Sequence, residues 1–98
     1  MAEYVMLLKF TSKGIEHFKD APNRFNAAKK TFESYGGKIK SFHVVLGRYD
    51  GVCIVEAPDD ETIAKISLQI ASLGNVKIET LRGFNEDLYT SMIQSMSK

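Results

Sequence analysis

Residues 47–61 constrain the fold of this chain more than any other stretch. They begin with a turn signal, because the pair Asp50-Gly51 is among the strongest short-range indicators of a β-hairpin. An apolar run follows, which is typical of a buried strand, and Pro58 stops it. Asp59 or Asp60 can then accept hydrogen bonds from the free amides of a new helix. This one segment therefore predicts a turn, a strand and the start of a helix.

The length and composition predict one soluble domain that spans residues 1–98. The chain is 44% hydrophobic and 26% charged, which is ordinary for a soluble protein. Its single cysteine excludes an intrachain disulfide and favours a reducing compartment. The N-terminal residues show no secretory signal, and no apolar stretch approaches the roughly 20 residues of a membrane span. We therefore expect a cytoplasmic protein that does not bind membranes.

The charge distribution does not predict a nucleic-acid partner. The net charge is +1, with eight Lys/Arg against four Asp/Glu in residues 1–40 and five against eight in residues 41–98. Nucleic-acid-binding domains usually carry a basic pI and a clustered basic face, whereas the pI here is about 7.8. The basic residues of the first half are interleaved with acidic ones, so they predict a solvated helix face.

The first half of the chain is predicted to form a strand, a helix and a second strand. Residues 4–10 are apolar on both alternating faces, as in a strand that is covered on both sides. Pro22 suits the first turn of a helix, and Gly36-Gly37 ends that helix. Residues 38–46 alternate in the manner of a second strand. The apolar stripe of the helix consists of Phe25, Ala28, Phe32 and Tyr35.

The second half repeats this order and adds a C-terminal helix. Residues 51–57 are apolar at nearly every position and predict a buried strand. The helix that follows closes at Gly74, and residues 75–81 alternate in a way that suits an edge strand. Asn85 can cap the last helix. The apolar stripes consist of Ile63, Ile66, Ile70 and Leu73 in the first of these helices, and of Leu88, Tyr89, Met92, Ile93 and Met96 in the last.

The predicted order βαββαβ, with a C-terminal helix, is that of an α+β protein with a ferredoxin-like fold. Right-handed crossovers place the first and third strands in the middle of a four-stranded antiparallel sheet. Both crossover helices then lie on one side of the sheet, and the other side is uncovered. We expect the uncovered side to carry Tyr4, Met6, Leu8, Val45, Val52 and Ile54.

The uncovered side of the sheet needs a cover, because burying each large apolar side chain is worth roughly 1.5–3 kcal/mol. A second copy of the chain can supply the cover by packing sheet on sheet. The C-terminal helix of the same chain is the alternative. We expect a homodimer or a higher homo-oligomer that forms through this side of the sheet.

Short motifs spread over nearly the whole chain match a known family. They are Thr11-x-x-Gly14-Ile15, Pro22-x-Arg24, Gly36-Gly37, Gly47-Arg48-Tyr49-Asp50, Glu56-Ala57-Pro58-Asp59-Asp60 and Leu73-Gly74-Asn75-Val76. With these motifs the chain resembles the GYD-domain family, small stand-alone proteins named for a Gly-x-Tyr-Asp motif. The resemblance implies a ferredoxin-like domain of the dimeric α/β-barrel type. It brings no agreed activity.

Residues 41–84 are also similar, more loosely, to the effector-binding domain of the leucine-responsive and asparagine-type transcription regulators. The shared pattern is the Gly-x-Tyr-Asp turn, the apolar strand, the Pro-Asp helix start and the Gly-Asn-Val strand. This similarity implies a module that oligomerises and binds amino acids. The chain shows no helix-turn-helix segment, so operator binding is not implied.

The leading hypothesis is a homo-oligomeric small-molecule-binding or regulatory module. The ligand would lie between the uncovered side of the sheet and either the partner or the C-terminal helix, where a few polar groups among apolar ones make a usual pocket. Arg48 would contact an anionic ligand. We predict no catalytic residue, no metal site and no cofactor. The expected lining residues are Tyr4, Met6, His43, Tyr49 and Glu56.

Each polar candidate also has a structural explanation. Tyr49 can lay its ring on the sheet, and Asp50 can support a turn with positive φ. A lone strand histidine such as His43 is usually packed or hydrogen-bonded. Glu56 can pair with an arginine instead of acting on a ligand. The arginines available for that pairing are Arg24, Arg48 and Arg82.

The rival hypothesis is an enzyme of the cofactor-independent monooxygenase or heme-degrading type, which shares the dimeric α/β-barrel architecture. Histidine side chains can serve as a general base or a heme ligand, and His43 would form the reactive pair with Tyr49. The analogy is one of fold alone.

Cys53 is expected to face the helices, where a buried thiol is inert. The sequence favours a binding protein over an enzyme.

Overall fold

The chain forms a four-stranded antiparallel sheet in the computed structural model, which describes residues 1–96. The strands lie in the order second, third, first, fourth, so the first and third are central, as predicted. This arrangement confirms the ferredoxin-like α+β fold. The elements are β1 (Ala2–Phe10), α1 (Ser12–Glu16), a short 3-10 helix (Phe18–Asp20), α2 (Ala21–Ser34), β2 (Lys38–Val44), β3 (Gly51–Ala57), α3 (Asp60–Ala71), β4 (Val76–Gly83) and α4 (Glu86–Met96).

Polar side chains cap two of the helices where the sequence predicts caps. The carboxylate of Asp59 accepts a 2.8 Å hydrogen bond from the amide of Thr62 in α3. Hydrogen bonding to Thr62 also holds the pKa of Asp59 below its ordinary value. Asn85 Oδ1 accepts a 2.9 Å hydrogen bond from the amide of Leu88 in α4. Gly36, with a φ of 76°, ends α2 in the left-handed conformation.

The core lies between the sheet and the helices α2 and α3. Alternate residues of the central strands β1 and β3 point toward these helices, and Cys53 is among them, as predicted. Both helices contribute large side chains to the same layer. The buried core residues are Tyr4, Met6, Phe32, Cys53, Val55, Ala57, Ile63 and Ile66.

Tyr4 and Met6 lie on the helix side of the sheet, so the prediction that they face away from the helices is wrong. They pair with Val55 and Cys53, and both of the β1 side chains are only 2% exposed. Leu8 lies on the same side because it is two residues further along the strand. β1 is apolar on both faces, so its own pattern does not decide which face meets the helices.

The connection between β2 and β3 is a loop over residues 45–50 and not the tight turn predicted at Asp50-Gly51. That turn would need a positive φ at Asp50, and no non-glycine residue within 1–96 has one. Gly51 is instead the first residue of β3, and Gly47 supplies the positive φ of 124° within the loop. β2 therefore ends at Val44, and Val45 lies in the loop.

One side of the sheet carries no helix from the part of the chain that the structure describes, and we call the apolar part of that side the open face. The structure measures 55 × 31 × 17 Å, and the shortest dimension corresponds to a sheet with one helix layer. α4 has no buried residue, and its apolar side chains Leu88 and Met92 are 43% and 44% exposed. The alternative that α4 covers its own sheet is therefore wrong. The open face consists of Val5, Leu7, Val52, Ile54 and Leu81.

Candidate functional site

Asp50 extends the pairing of β1 beyond the end of β3. Its amide donates a 2.8 Å hydrogen bond to the carbonyl of Leu8, and its carbonyl accepts a 3.0 Å bond from Val45. Its carboxylate accepts a 2.8 Å bond from the amide of Phe10. The side chain thus replaces the main-chain carbonyl that a longer β3 would have offered to Phe10. This residue of the Gly-x-Tyr-Asp motif has a structural role.

The tip of the same loop lies against one end of the open face. The hydroxyl of Tyr49 donates a 3.1 Å hydrogen bond to Glu79, which is on the open-face side of β4. Lys9, on the same side of β1, donates a 3.0 Å bond to the carbonyl of Arg48. The Arg48 side chain is exposed and Tyr49 is half-buried. The loop therefore places both predicted site residues at the edge of the open face.

Glu56 lies at the other end of the open face and pairs with Lys40, so the predicted pairing with an arginine is wrong. The Lys40 Nζ atom is 3.6 Å from Glu56 and 3.1 Å from Glu3. The hydrogen bond to Glu3, with the added charge of Glu56, raises the pKa of Lys40. β2 carries one extra residue between Ile39 and Ser41, and this bulge brings Lys40 to the two glutamates. No pattern in the sequence indicates that bulge.

His43 lies on the exposed side of β2 and is not brought to Tyr49. It pairs with Val52 in the sheet, and no hydrogen bond or ion pair within residues 1–96 involves its ring. Tyr49 bonds to Glu79 on β4, and three interstrand steps of about 4.8 Å each separate β4 from β2. The reactive pair of the enzyme hypothesis is therefore not assembled within one chain.

A cavity of about 390 Å³ lies on the helix side of the sheet, between α2 and α3. Met6 is the one predicted site residue that lines it, and Cys53 lies at the same wall. Phe25 and Phe42 also line it, and their rings are in contact with centroids 4.6 Å apart. Other apolar lining residues are Leu8, Phe10, Ile39, Ile70 and Ile78.

Sequence reasoning missed this cavity, although one signal for it was present. The buried stripe of α2 carries Ala28 where a packed core helix would present a larger side chain, and Ala27 beside it also lines the cavity. Small residues at those two positions leave space between α2 and the sheet. The apolar stripe alone predicted only that this side of α2 would be buried.

Two buried titratable groups on the helix side keep their protons at neutral pH. Burial raises the pKa of the Cys53 thiol to about 11. Burial, together with a 2.5 Å hydrogen bond donated to Asp60, raises the pKa of Tyr4 to about 12. Tyr4 therefore fastens β1 to the first turn of α3. Its surroundings do not place it in the predicted ligand site.

Within residues 1–96, no helix is long and apolar enough to cross a membrane. The same part of the chain contains no group of three or more His, Cys, Asp or Glu side chains arranged to hold a metal ion.

The fold places the protein in the class of ferredoxin-like α+β domains with one uncovered sheet face. A solved structure of this fold is the leucine response regulatory protein LrpA of Mycobacterium tuberculosis, with a TM-score of 0.64 and 15% identity over 86% of this chain. The chain spans about half of that protein, 51% of its length. A second solved structure, a protein of Thermus thermophilus, has a TM-score of 0.55 and 25% identity, and the match covers 87% of this chain and 95% of that one.

The GYD domain model matches residues 4–93, and the chain belongs to the GYD-domain family. A relative from Thermus thermophilus is 35% identical over 82 residues, which are 83% of this chain and 86% of the relative. That relative is named a glutamine synthetase and cystathionine beta-lyase binding protein. The resemblance drawn from the Gly-x-Tyr-Asp motif and its companions is thereby confirmed.

Proposed function

We propose that the protein is a homo-oligomeric binding or regulatory module whose chains pair through the open face. The observation that carries this proposal is the uncovered apolar surface of the two central strands. Val5 and Leu7 of β1 and Val52 and Ile54 of β3 form a continuous patch with no helix over it. The four side chains are half-buried in a single chain, so covering the patch gains part of the roughly 1.5–3 kcal/mol that full burial of a large apolar side chain is worth. A second copy of the same sheet covers it most simply.

The charges around the open face suit such pairing. Lys40 lies between Glu3 and Glu56 at one end, and Lys9 and Glu79 lie at the other. Each end therefore holds both signs of charge, which permits self-complementary packing about a two-fold axis. The exposed apolar side of α4 gives each chain a second surface that a partner can cover.

A small-molecule ligand between the paired sheets is the finer part of the proposal. The lining residues are then His43, Tyr49 and Glu56, with Arg48 at the edge, because all four lie on or beside the open face. His43 is exposed and makes no bond within residues 1–96, so its ring is available to a ligand. Tyr4 and Met6 are not part of this lining, since both face the helices.

The name of the Thermus relative supports a protein partner as well. That relative is named for binding glutamine synthetase and cystathionine beta-lyase, and its match covers 83% of this chain. We extend to this chain the binding of an enzyme of one of these two kinds. Calorimetric titration of this chain with purified glutamine synthetase and cystathionine beta-lyase, both from the organism that produces this chain, tests that binding. Heat of binding with either enzyme supports it, and its absence with both at micromolar concentration contradicts it.

The pairing itself is tested by placing a charge in the middle of the open face. Leu7→Glu puts a carboxylate there, whereas Leu68→Glu makes the same change on α3, where Leu68 is already 72% exposed. Sedimentation velocity should show a loss of the paired species for Leu7→Glu only. Equal sedimentation of the two variants and the unmodified chain would contradict the proposed interface.

A further inference from the structure

We propose that the cavity between α2, α3 and the sheet binds a small carboxylic acid, with its apolar tail inside and its carboxylate at Arg24. This site is on the side of the sheet opposite to the open face. It is therefore independent of the pairing and of any ligand between paired sheets.

The size of the cavity suits a small ligand. Its volume of about 390 Å³ lies within the usual range of ligand pockets, roughly 300–1,000 Å³. Along the sheet it extends past Phe10, Leu8 and Met6, alternate residues of β1. The four residue steps from Met6 to Phe10 span about 13 Å along the strand. The cavity therefore accepts an extended chain or a substituted ring.

The walls select an apolar tail. The space is lined by Phe25 of α2 and Phe42 of β2. Ile70 of α3 and Ile78 of β4 line it as well. No aspartate or glutamate is among the described residues that line it. A charged tail would lose its hydration there without gaining a partner, whereas an apolar tail removes exposed core surface from water.

Among residues 1–96, Arg24 is the one cation of the lining, and it selects the head group. Its guanidinium donates to the carbonyls of His17 at 2.9 Å and of Gly14 at 3.2 Å, which holds it near the ring of Phe10. These bonds use two of five N–H donors, and no carboxylate within residues 1–96 forms an ion pair with it. A fixed guanidinium with donors to spare at the edge of an apolar cavity favours a carboxylate.

Asn75 adds a neutral donor at the same end of the cavity. Its backbone touches Gly14 so closely that a Cβ atom on Gly14 would lie 2.0 Å from the Asn75 carbonyl oxygen. Asn75 therefore neighbours the residue whose carbonyl Arg24 bonds. Asn75 is among the residues that line the cavity, and its side-chain amide makes no hydrogen bond within residues 1–96. In the proposed site, this amide adds a neutral donor to the charged donors of Arg24.

Three probes that share a ten-carbon chain and differ in head group test the proposal by calorimetric titration. The two ionic probes are used below their micelle concentrations, and 1-decanol below its solubility limit. Decanoate should bind, 1-decanol should bind about tenfold more weakly, and decyltrimethylammonium should not bind, because Arg24 repels its charge. Decanoate and decyltrimethylammonium binding with equal affinity would overturn the proposal. So would the absence of binding by all three probes.

Variants locate the binding within the cavity. Ala28→Phe fills the space and should abolish decanoate binding, whereas Ala64→Phe makes the same change at an exposed position of α3 and should not. Arg24→Gln should lower the affinity for decanoate about tenfold and leave the affinity for 1-decanol unchanged. Arg24→Lys should restore part of the preference for decanoate over 1-decanol. Decanoate binding that survives Ala28→Phe would overturn the site.

The decanoate titration also shows whether this site depends on the pairing of chains through the open face. Leu7→Glu should bind decanoate as tightly as the unmodified chain does, whether or not it pairs. If Ala28→Phe instead lowers the mass of the assembly, the cavity is a surface for a second copy of the chain, and the carboxylate proposal is wrong.

Discussion

The carboxylate of Asp50 accepts a 2.8 Å hydrogen bond from the main-chain amide of Phe10, forty residues away in the sequence. Phe10 is the last residue of β1, and β3 begins too late to pair with it through its backbone. An aspartate side chain fills that gap. The final residue of the Gly-x-Tyr-Asp motif therefore stabilises the sheet that supports the open face.

Asp50→Ala should lower the free energy of unfolding by about 1–3 kcal/mol, because the half-buried amide of Phe10 then loses its acceptor. Asp50→Asn keeps an acceptor oxygen in place and should lower it less. Urea denaturation followed by circular dichroism measures both variants. Equal stabilities of Asp50→Ala and the unmodified chain would show that the bond contributes nothing.

The buried hydroxyl of Tyr4 predicts a loss of stability in alkali. The folded state raises its pKa from 10.0 to about 12, so folding favours the protonated phenol. The stabilisation is therefore complete below pH 10 and is lost as the pH rises toward 12. Tyr4→Phe removes this titration. The difference in melting temperature between the unmodified chain and Tyr4→Phe should shrink over that range.

A matched control for the alkaline titration is Tyr89→Phe on α4, where the side chain is 58% exposed. Because that side chain is exposed, Tyr89→Phe should change the melting temperature little at every pH tested for Tyr4→Phe. A constant difference in melting temperature for Tyr4→Phe would contradict the role assigned to the bond between Tyr4 and Asp60.

Cys53 should react slowly with iodoacetamide in the folded protein. Its side chain is 5% exposed, and burial raises its pKa from 9.0 to about 11, so at about pH 8 the thiolate is about a hundredfold scarcer than in an unfolded chain. Mass spectrometry of timed samples measures the rate with and without urea. Equal rates in the two conditions would contradict the buried position.

His43→Ala should change the free energy of unfolding by less than about 0.5 kcal/mol, because the ring is exposed and makes no bond within residues 1–96. Incubation with a quinol or with heme should give no turnover above the buffer background. A turnover that the unmodified chain supports and His43→Ala loses would establish the enzyme hypothesis instead.

Much of the fold was predictable, because turns, caps and apolar runs act locally. Asp59 is an example, since an aspartate between a strand and an apolar helical stripe can cap that helix, and it does so. The central position of β1 and β3 followed from their two-sided apolar pattern. The family followed from motifs that extend over most of the chain, and the GYD domain model matches residues 4–93.

The position of the candidate site was less predictable, because it depends on contacts between distant elements. When a strand is apolar on both faces, its sequence does not show which face meets the helices. The side of the sheet on which Tyr4 and Met6 lie could therefore not be predicted from β1 alone. Lys40 reaches Glu56 only through a bulge in β2. Asp50 was predicted to occupy a turn, whereas its side chain bonds a strand that lies far away in the sequence.

The open face is the surface on which the proposed function depends, and the mass of the unmodified protein tests it most directly. One chain has a mass of 11.0 kDa. Static light scattering at micromolar concentration should give at least twice that value, because covering the open face requires a second copy. A measured mass of 11.0 kDa at micromolar concentration would contradict pairing through the open face.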